Sequence, residues 1–215
     1  DIDVPAIATM ARQAQPGLLI VDRTVHGPYE NYQTPEQSIP KEQLNYPWES
    51  CMTLANNWGY VPNDTYKTAG KVIHRLIEVT AKGGNLLLGV GPKPDGTLTN
   101  EAVSRMKQVG QWLNKNGEAI YNTTITKNYN DGNTWFTQSK NGKQLYAIRC
   151  IGEHELLADT ISWKNNPPAK GTKMKCLQTG EYVRWKQEGN ETIVFIGAAL
   201  PGNLPAVAFE FTATN

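Results

Sequence analysis

The side chains best suited to chemistry are concentrated between Asp22 and Gln37. This stretch holds carboxylates at Asp22, Glu30 and Glu36, the guanidinium of Arg23, the imidazole of His26, and several phenols and amides. Such a mixture suits a ligand rich in hydroxyl groups. Cleaving a bond between sugars usually needs two carboxyl groups. One protonates the leaving oxygen; in retaining chemistry the other attacks the sugar carbon. Glu30 and Glu36 are both candidates for the proton donor. Arg23 and His26 are candidate ligands of sugar oxygens. Arg23 has a plainer alternative role, pairing with a nearby acid.

Other segments offer less. Trp58-Gly59-Tyr60 supplies an aromatic able to pack on the apolar face of a sugar, although such a pattern also serves ordinary loop packing. Gly83-Gly84 and Gly89-Val90-Gly91-Pro92 lack both the GxxxxGK and the GxGxxG spacing, so a phosphate loop is rejected. The glycines fit a tight entry to a strand and a tight exit from it. Cys51, Cys150 and Cys176 form no CxxC pair, which argues against a zinc or thioredoxin-type site. They are expected to be small buried hydrophobes, with a Cys150–Cys176 bridge as the less favoured alternative. His74 falls on a helix face and His154 in a later polar stretch; both are expected to be structural or exposed.

The elements that must hold these groups come in two grammars. Asp3 can cap a helix whose apolar positions are Ile7, Met10, Ala11 and Ala14, stopped at Pro16-Gly17. Leu18-Leu19-Ile20-Val21 is a short apolar run of the kind that forms a parallel strand covered on both faces. The segment from Asp22 to about Trp48 reads as a long loop, and loops of that length are often functional. A second strand is predicted at Ser50–Leu54, then a helix capped by Thr68 and a third buried strand at Asn85–Val90. A last helix, from about Asn100 to Asn116, would turn Val103, Met106, Val109 and Leu113 inward. Strand, helix, strand, helix is parallel α/β grammar, with too few strands to close a barrel.

After Tyr121 the period changes to two. Seven short alternating segments follow between Trp135 and Phe211, with Asn141-Gly142 as a hairpin signal between the first pair. The expected fold is therefore α/β plus all-β. Residues 1–122 would be the C-terminal part of a (β/α) TIM-like barrel, and residues 123–215 an antiparallel β-sandwich. Trp163 and Trp185 are expected in its core or on its faces.

The chain of 215 residues carries 21 basic and 20 acidic side chains, without the basic stripe of a nucleic-acid binder. It has no apolar stretch of membrane-spanning length. It opens without Met on a helix-start pattern, which suggests a processed or truncated product.

Several segments together resemble the glycoside hydrolase family of α-L-fucosidases. They are Val21-Asp22-Arg23, Asn31 to Glu36, Pro47-Trp48-Glu49-Ser50-Cys51, Asn57-Trp58-Gly59-Tyr60, Lys82 to Pro92 with Asp95-Gly96-Thr97, and Trp112 to Tyr121. The resemblance implies a retaining enzyme that releases terminal α-L-fucose from glycans, without metal or organic cofactor. It implies a periplasmic or extracellular location. It also implies a nucleophilic Asp on an earlier strand, in an N-terminal part of the barrel that would be this chain's partner. Arg23 then matches a fucose-contacting arginine and Trp58 an aromatic at the sugar's apolar edge. Counting back from Trp48-Glu49 favours Glu36 as acid/base; likeness around Tyr29-Glu30-Asn31 favours Glu30. Glu49 begins a strand and is the poorer candidate. The competing readings are a carbohydrate-binding module and a purely structural C-terminal segment.

Overall fold

A computed structural model describes residues 2–21, 23, 27–197 and 200–212. The first helix, α1 (Val4–Ala14), begins where the Asp3 carboxylate accepts the Ala6 N–H at 3.0 Å. It ends before Gly17, whose φ of 81° a side chain would resist. Its apolar positions Ile7 and Met10 are 50% and 63% exposed, and Ala8 is the helix's buried residue. Leu18–Val21, expected as a covered strand, likewise has no buried residue, and Leu19 is 68% exposed. Apolar periodicity tells which residues share a face, not whether a neighbour covers it.

The stretch read as one long loop contains a piece of parallel sheet. Residues 32–36 run between Val21 and the next strand, β1 (Glu49–Thr53), through parallel bridges Val21–Tyr32, Gln33–Trp48 and Glu36–Cys51. The Gln33 N–H donates to Pro47 O at 2.9 Å, Glu49 N–H to Gln33 O at 2.8 Å, and Cys51 N–H to Pro35 O at 3.3 Å. Pro35 has no N–H to return to β1, so the ladder is interrupted there.

Thr68 caps α2 (Ala69–Ala81) by accepting the Lys71 N–H at 3.2 Å. Val72, Ile73 and Ile77 on one side of α2 are buried. The chain leaves α2 through Gly83, at φ 83°, and enters β2 (Asn85–Gly89), which pairs in parallel with β1 from Glu49–Asn85 to Thr53–Gly89. A Cβ on Gly84 would stand 2.4 Å from the buried Trp48 ring, so that position is closed to any side chain. β2 was expected to be buried, yet none of its residues is, and Leu87 is 47% exposed. A parallel strand is buried only when both faces are covered; here Leu88 packs on the core while Leu87 faces outward.

Thr99 caps α3 (Asn100–Asn116) through the Ala102 N–H at 3.1 Å. The buried face of α3 is Ala102, Val109, Trp112 and Asn116, whereas Val103 and Met106 are 37% and 40% exposed. The inner stripe is thus turned from the expected one because Trp112, the largest apolar side chain of the helix, takes the inward position.

From Thr123 onward the structure is antiparallel. The strands are β3 (Thr123–Thr124), β4 (Asn130–Asp131), β5 (Thr134–Ser139), β6 (Gln144–Cys150), β7 (Thr160–Lys164), β8 (Met174–Cys176), β9 (Tyr182–Glu188), β10 (Glu191–Phe195) and β11 (Ala206–Thr212). They join in the order β3-β5-β6-β11-β8-β9-β10-β7, with β4 beside β5. Gly142, at φ 73°, turns the β5–β6 hairpin. The sheet folds over itself. Trp163 of β7 stacks on Phe209 and Phe211 of β11 at 6.2 and 5.9 Å and meets Phe136 of β5 edge-on. This arrangement is consistent with a β-sandwich. Trp185 is half-buried against the same core.

β11 is two-faced. Val207, Phe209 and Phe211 point into that core, while Ala206 and Ala208 face a second core with Ile73, Ile77 and Trp112. Small residues on the second face let the helices approach closely. Trp112 Nε1 donates to Ala206 O at 2.8 Å, and Asn116 accepts the Ala208 N–H at 3.3 Å while donating to Gln178 Oε1 at 2.8 Å. The ring of His74 contacts Pro205 O at 2.7 Å, as suits a structural histidine, and His154 is exposed. The three cysteines are free thiols, so the Cys150–Cys176 bridge does not form. Burial pushes the Cys150 thiol up to about 12.

Candidate active site

The parallel segment fixes where the candidate residues stand. Glu36 ends the strand-like run 32–36, and residues at the carboxyl ends of parallel strands are where α/β sheets and barrels hold ligands. Its Oε2 lies 3.4 Å from Nη2 of Arg23, and Arg23 Nη1 lies 3.5 Å from the Cys51 sulfur. The Arg23 and Glu36 side chains are 52% and 48% exposed. A pair that open to water adds little to stability, so both groups remain accessible to a ligand.

The backbone turns sharply just beyond Glu36. Gln37 has φ 52°, unusual for a residue with a side chain. Three hydrogen bonds hold it there. Its N–H donates to Cys51 O at 2.8 Å, its Nε2 to Thr53 Oγ1 at 3.1 Å, and its Oε1 accepts the Thr53 N–H at 3.3 Å. Lys67 braces the same threonine, donating to Thr53 O at 2.7 Å and to Ala55 O at 3.1 Å. Burial, then the charge of Arg75, holds the Lys67 ammonium below the usual lysine range. Glu36 therefore stands on a rim whose backbone is pinned from two sides.

Glu30 occupies a different level. It precedes the run 32–36, is half-buried, and its carbonyl accepts the Tyr46 hydroxyl at 2.7 Å. Residues 32 to 36 alone rise about 13 Å along a strand, so the two glutamates do not share one position on the rim. α1 ties this lower end down: Arg12 Nη2 donates to Tyr29 O at 2.6 Å and to Asn31 Oδ1 at 2.9 Å, and the same Asn31 oxygen accepts the Ile20 N–H.

Trp58 follows β1 and is 45% exposed. Its ring lies over Gly89, where a Cβ would come within 3.0 Å of it, and a Cβ on Gly91 would stand 2.6 Å from the backbone of Gly59 and Tyr60. The two glycines thus let the Trp58 loop lie flat across the end of β2. Asp64 anchors that loop, accepting from the N–H and Nδ2 of Asn57 at 3.2 Å each. Burial acts to raise the Asp64 carboxyl, but the bonds from Asn57 and Thr65 outweigh it and leave it low. Glu49 opens β1, at the opposite end from Trp58.

The structure thus brings Arg23, Glu36 and Cys51 together and places Glu30 elsewhere. His26 and Asp22 lie outside the described residues. Gln37, Lys67 and Arg12 act as positioning residues that the sequence did not single out, and Asn31, named there only within the family resemblance, joins them. Only the Asn31 bonds had a visible signal, since an Asn just before a strand commonly bonds neighbouring backbone. Among the described residues no group of three or more His, Cys, Asp and Glu side chains is arranged to hold a metal ion, and no helix is long and apolar enough to cross a membrane.

A parallel rim thus presents a carboxylate and a guanidinium, with a half-exposed aromatic on the loop after β1. The family model for α-L-fucosidase matches residues 1–118, and the chain belongs to the α-L-fucosidase family. The human plasma α-L-fucosidase is 37% identical over 130 residues, which span 57% of this chain and 27% of that protein. The mouse tissue α-L-fucosidase is 28% identical over 194 residues, 87% of this chain and 41% of that protein. Among solved structures, α-L-fucosidase isoenzyme 1 from Paenibacillus thiaminolyticus superposes with a TM-score of 0.84 at 25% identity, over 99% of this chain and 54% of that one. The chain thus spans well under two thirds of the length of these relatives.

Proposed function

We propose that residues 1–122 are the C-terminal part of a catalytic (β/α) barrel and residues 123–215 its β-sandwich, in a retaining enzyme that releases terminal α-L-fucose from glycans. Glu36 is the proton donor, Arg23 and His26 bind sugar oxygens, and Trp58 lies against the apolar edge of the sugar. The nucleophilic carboxylate comes from a segment outside these 215 residues, on a strand that extends the sheet beyond Val21. The apolar side chains left open around that edge, Ile7, Met10 and Leu19, support a further element packing there. By analogy with the plasma relative, the enzyme acts outside the cytoplasm.

The observation that carries this reading is the placing of Glu36 at a strand end, 3.4 Å from Arg23, on backbone fixed through Gln37. A general acid must reach the glycosidic oxygen with its proton in place. Arg23 would organise the sugar beside it. Glu30, below the rim, supports its loop instead.

The test uses the complete enzyme. Glu36→Gln should lose orders of magnitude on fucosides with poor leaving groups and far less on activated aryl fucosides, which depart with little protonation. Azide should rescue Glu36→Ala by attacking the glycosyl-enzyme in place of the water that the missing base would activate. Glu30→Gln should show neither signature. If Glu30→Gln carries the leaving-group dependence and Glu36→Gln does not, the two roles are exchanged.

A further inference from the structure

The outer face of β9 and the strands beside it carry a group of charges, only some of which are paired within the fold. Strand alternation sends Val183 and Trp185 into the sandwich-like core and leaves Tyr182, Arg184 and Lys186 outside. Phe195 of β10 lies opposite Arg184 in register. On the other side Lys175 pairs with Tyr182 and Met174 with Val183, so Lys173 comes next, facing Arg184. The Arg184 guanidinium and the Lys186 ammonium both stand over the Phe195 ring, at 5.6 and 5.7 Å, and Lys173 stands over the Tyr182 ring at 5.2 Å.

Not all of this charge is free. Lys186 is paired with Glu188 at 2.5 Å. Lys175 is drawn to Glu210, where its charge opposes the upward push of burial and Glu118 on that carboxyl. Lys173 and Arg184 are both exposed, and neither has a carboxylate within ion-pair distance among the described residues. Like charges facing each other across strands are unfavourable. The aromatic rings beneath them compensate only in part, since exposed cation–π contacts are weak. A groove of about 390 Å³ runs beside them, lined by Lys173, Tyr182, Arg184, Trp185 and Phe195. Tyr182, 65% exposed, offers a broad ring at its mouth.

We propose that this face binds an anionic glycan, with a sulfate or carboxylate group of the sugar between Lys173 and Arg184 and an apolar sugar face on Tyr182. The guanidinium fork matches two oxygens of either anion. Two free cations suit one anionic group at a time. A nucleic-acid strand would instead require a track of cations along its phosphates, and this chain has a net charge of only +1. The inference goes beyond the fucosidase reading and does not rest on it, because none of these residues belongs to the rim around Glu36.

Isothermal titration with dextran sulfate, polygalacturonate, neutral dextran and a single-stranded DNA oligonucleotide tests it. At least one of the two anionic polysaccharides should bind, and neutral dextran should not. Charge-assisted hydrogen bonds to both cations would be lost in the Lys173→Ala/Arg184→Ala double variant, weakening binding by about tenfold or more. Tyr182→Ala should weaken binding without changing its salt dependence. The substituted side chains are exposed, so the variants should keep the parent's melting midpoint. Lys107→Ala/Lys115→Ala, two exposed lysines on α3, should bind as the parent does. The proposal is overturned if neither anionic polysaccharide binds or if the α3 pair loses as much as the β9 pair. It is also overturned if the oligonucleotide binds as tightly as the polysaccharides and depends on the same residues.

Discussion

The antiparallel sheet and the parallel segment that carries Glu36 differ in how much of their apolar surface they cover. In the sheet, Trp163, Phe136, Phe209 and Phe211 are buried to within about one percent of their surface. In the parallel segment Leu19, Leu87 and Trp58 are 68%, 47% and 45% exposed. Both regions share the second core beneath Trp112, so they form one packed body on that side. The contrast is between a unit that covers its largest apolar side chains and one that leaves several of them open. The fucosidase chemistry is proposed at the more open side, where a second carboxylate would have room to arrive.

The largest expected difference is in stability. Trp163→Ala should destabilise the chain by about 3–5 kcal/mol, the usual loss for a buried aromatic, measured by denaturant unfolding. Leu87→Ser should cost almost nothing in this chain but should destabilise the complete enzyme. Equal losses at the two positions in this chain would erase the contrast.

A smaller effect is expected at the joint between them. Asn116→Ala removes the partners of the Ala208 N–H and Gln178 Oε1 inside the shared core. It should cost about 1–3 kcal/mol, the penalty for stranding buried polar groups. Hydrogen exchange should then speed up at Ala208 more than at Phe136.

The smallest effects concern protons. Burial, followed by the charge of Glu118, raises the Glu210 carboxyl above its ordinary 4.5. The folded state then holds this proton more tightly than the unfolded state. Stability therefore falls as pH rises from the unfolded value through the folded one, and stays lower above it. Glu210→Gln should raise the melting midpoint at pH 7, and the gain should vanish well below pH 4.5. In the same way Cys150, pushed up to about 12 by burial, should react with iodoacetamide in the folded chain far more slowly than half-buried Cys51.

Much of this was legible in the sequence because it is written locally. Asp3 and Thr68 announce two helices and cap them. Asn141-Gly142 announces a hairpin, and alternation marks each of the longer antiparallel strands. The run 32–36 was hidden because Pro35 interrupts the ladder and its polar residues show no alternation. Gln37 and Lys67 carry no signal at all, since their role exists only once Cys51 and Thr53 come alongside. The open faces of Leu18–Val21 and β2 were misjudged because burial depends on a neighbour that periodicity cannot specify.

The central claim is that this chain holds the acid/base side of a split site. The most direct measurement is turnover of para-nitrophenyl α-L-fucoside by the 215-residue chain alone, beside the complete enzyme of the proposed reading. On the proposed reading the chain alone should release no nitrophenol above background, since the nucleophile would be supplied from elsewhere. The complete enzyme should turn over at ordinary enzyme rates. Ordinary turnover by the isolated chain would contradict the account.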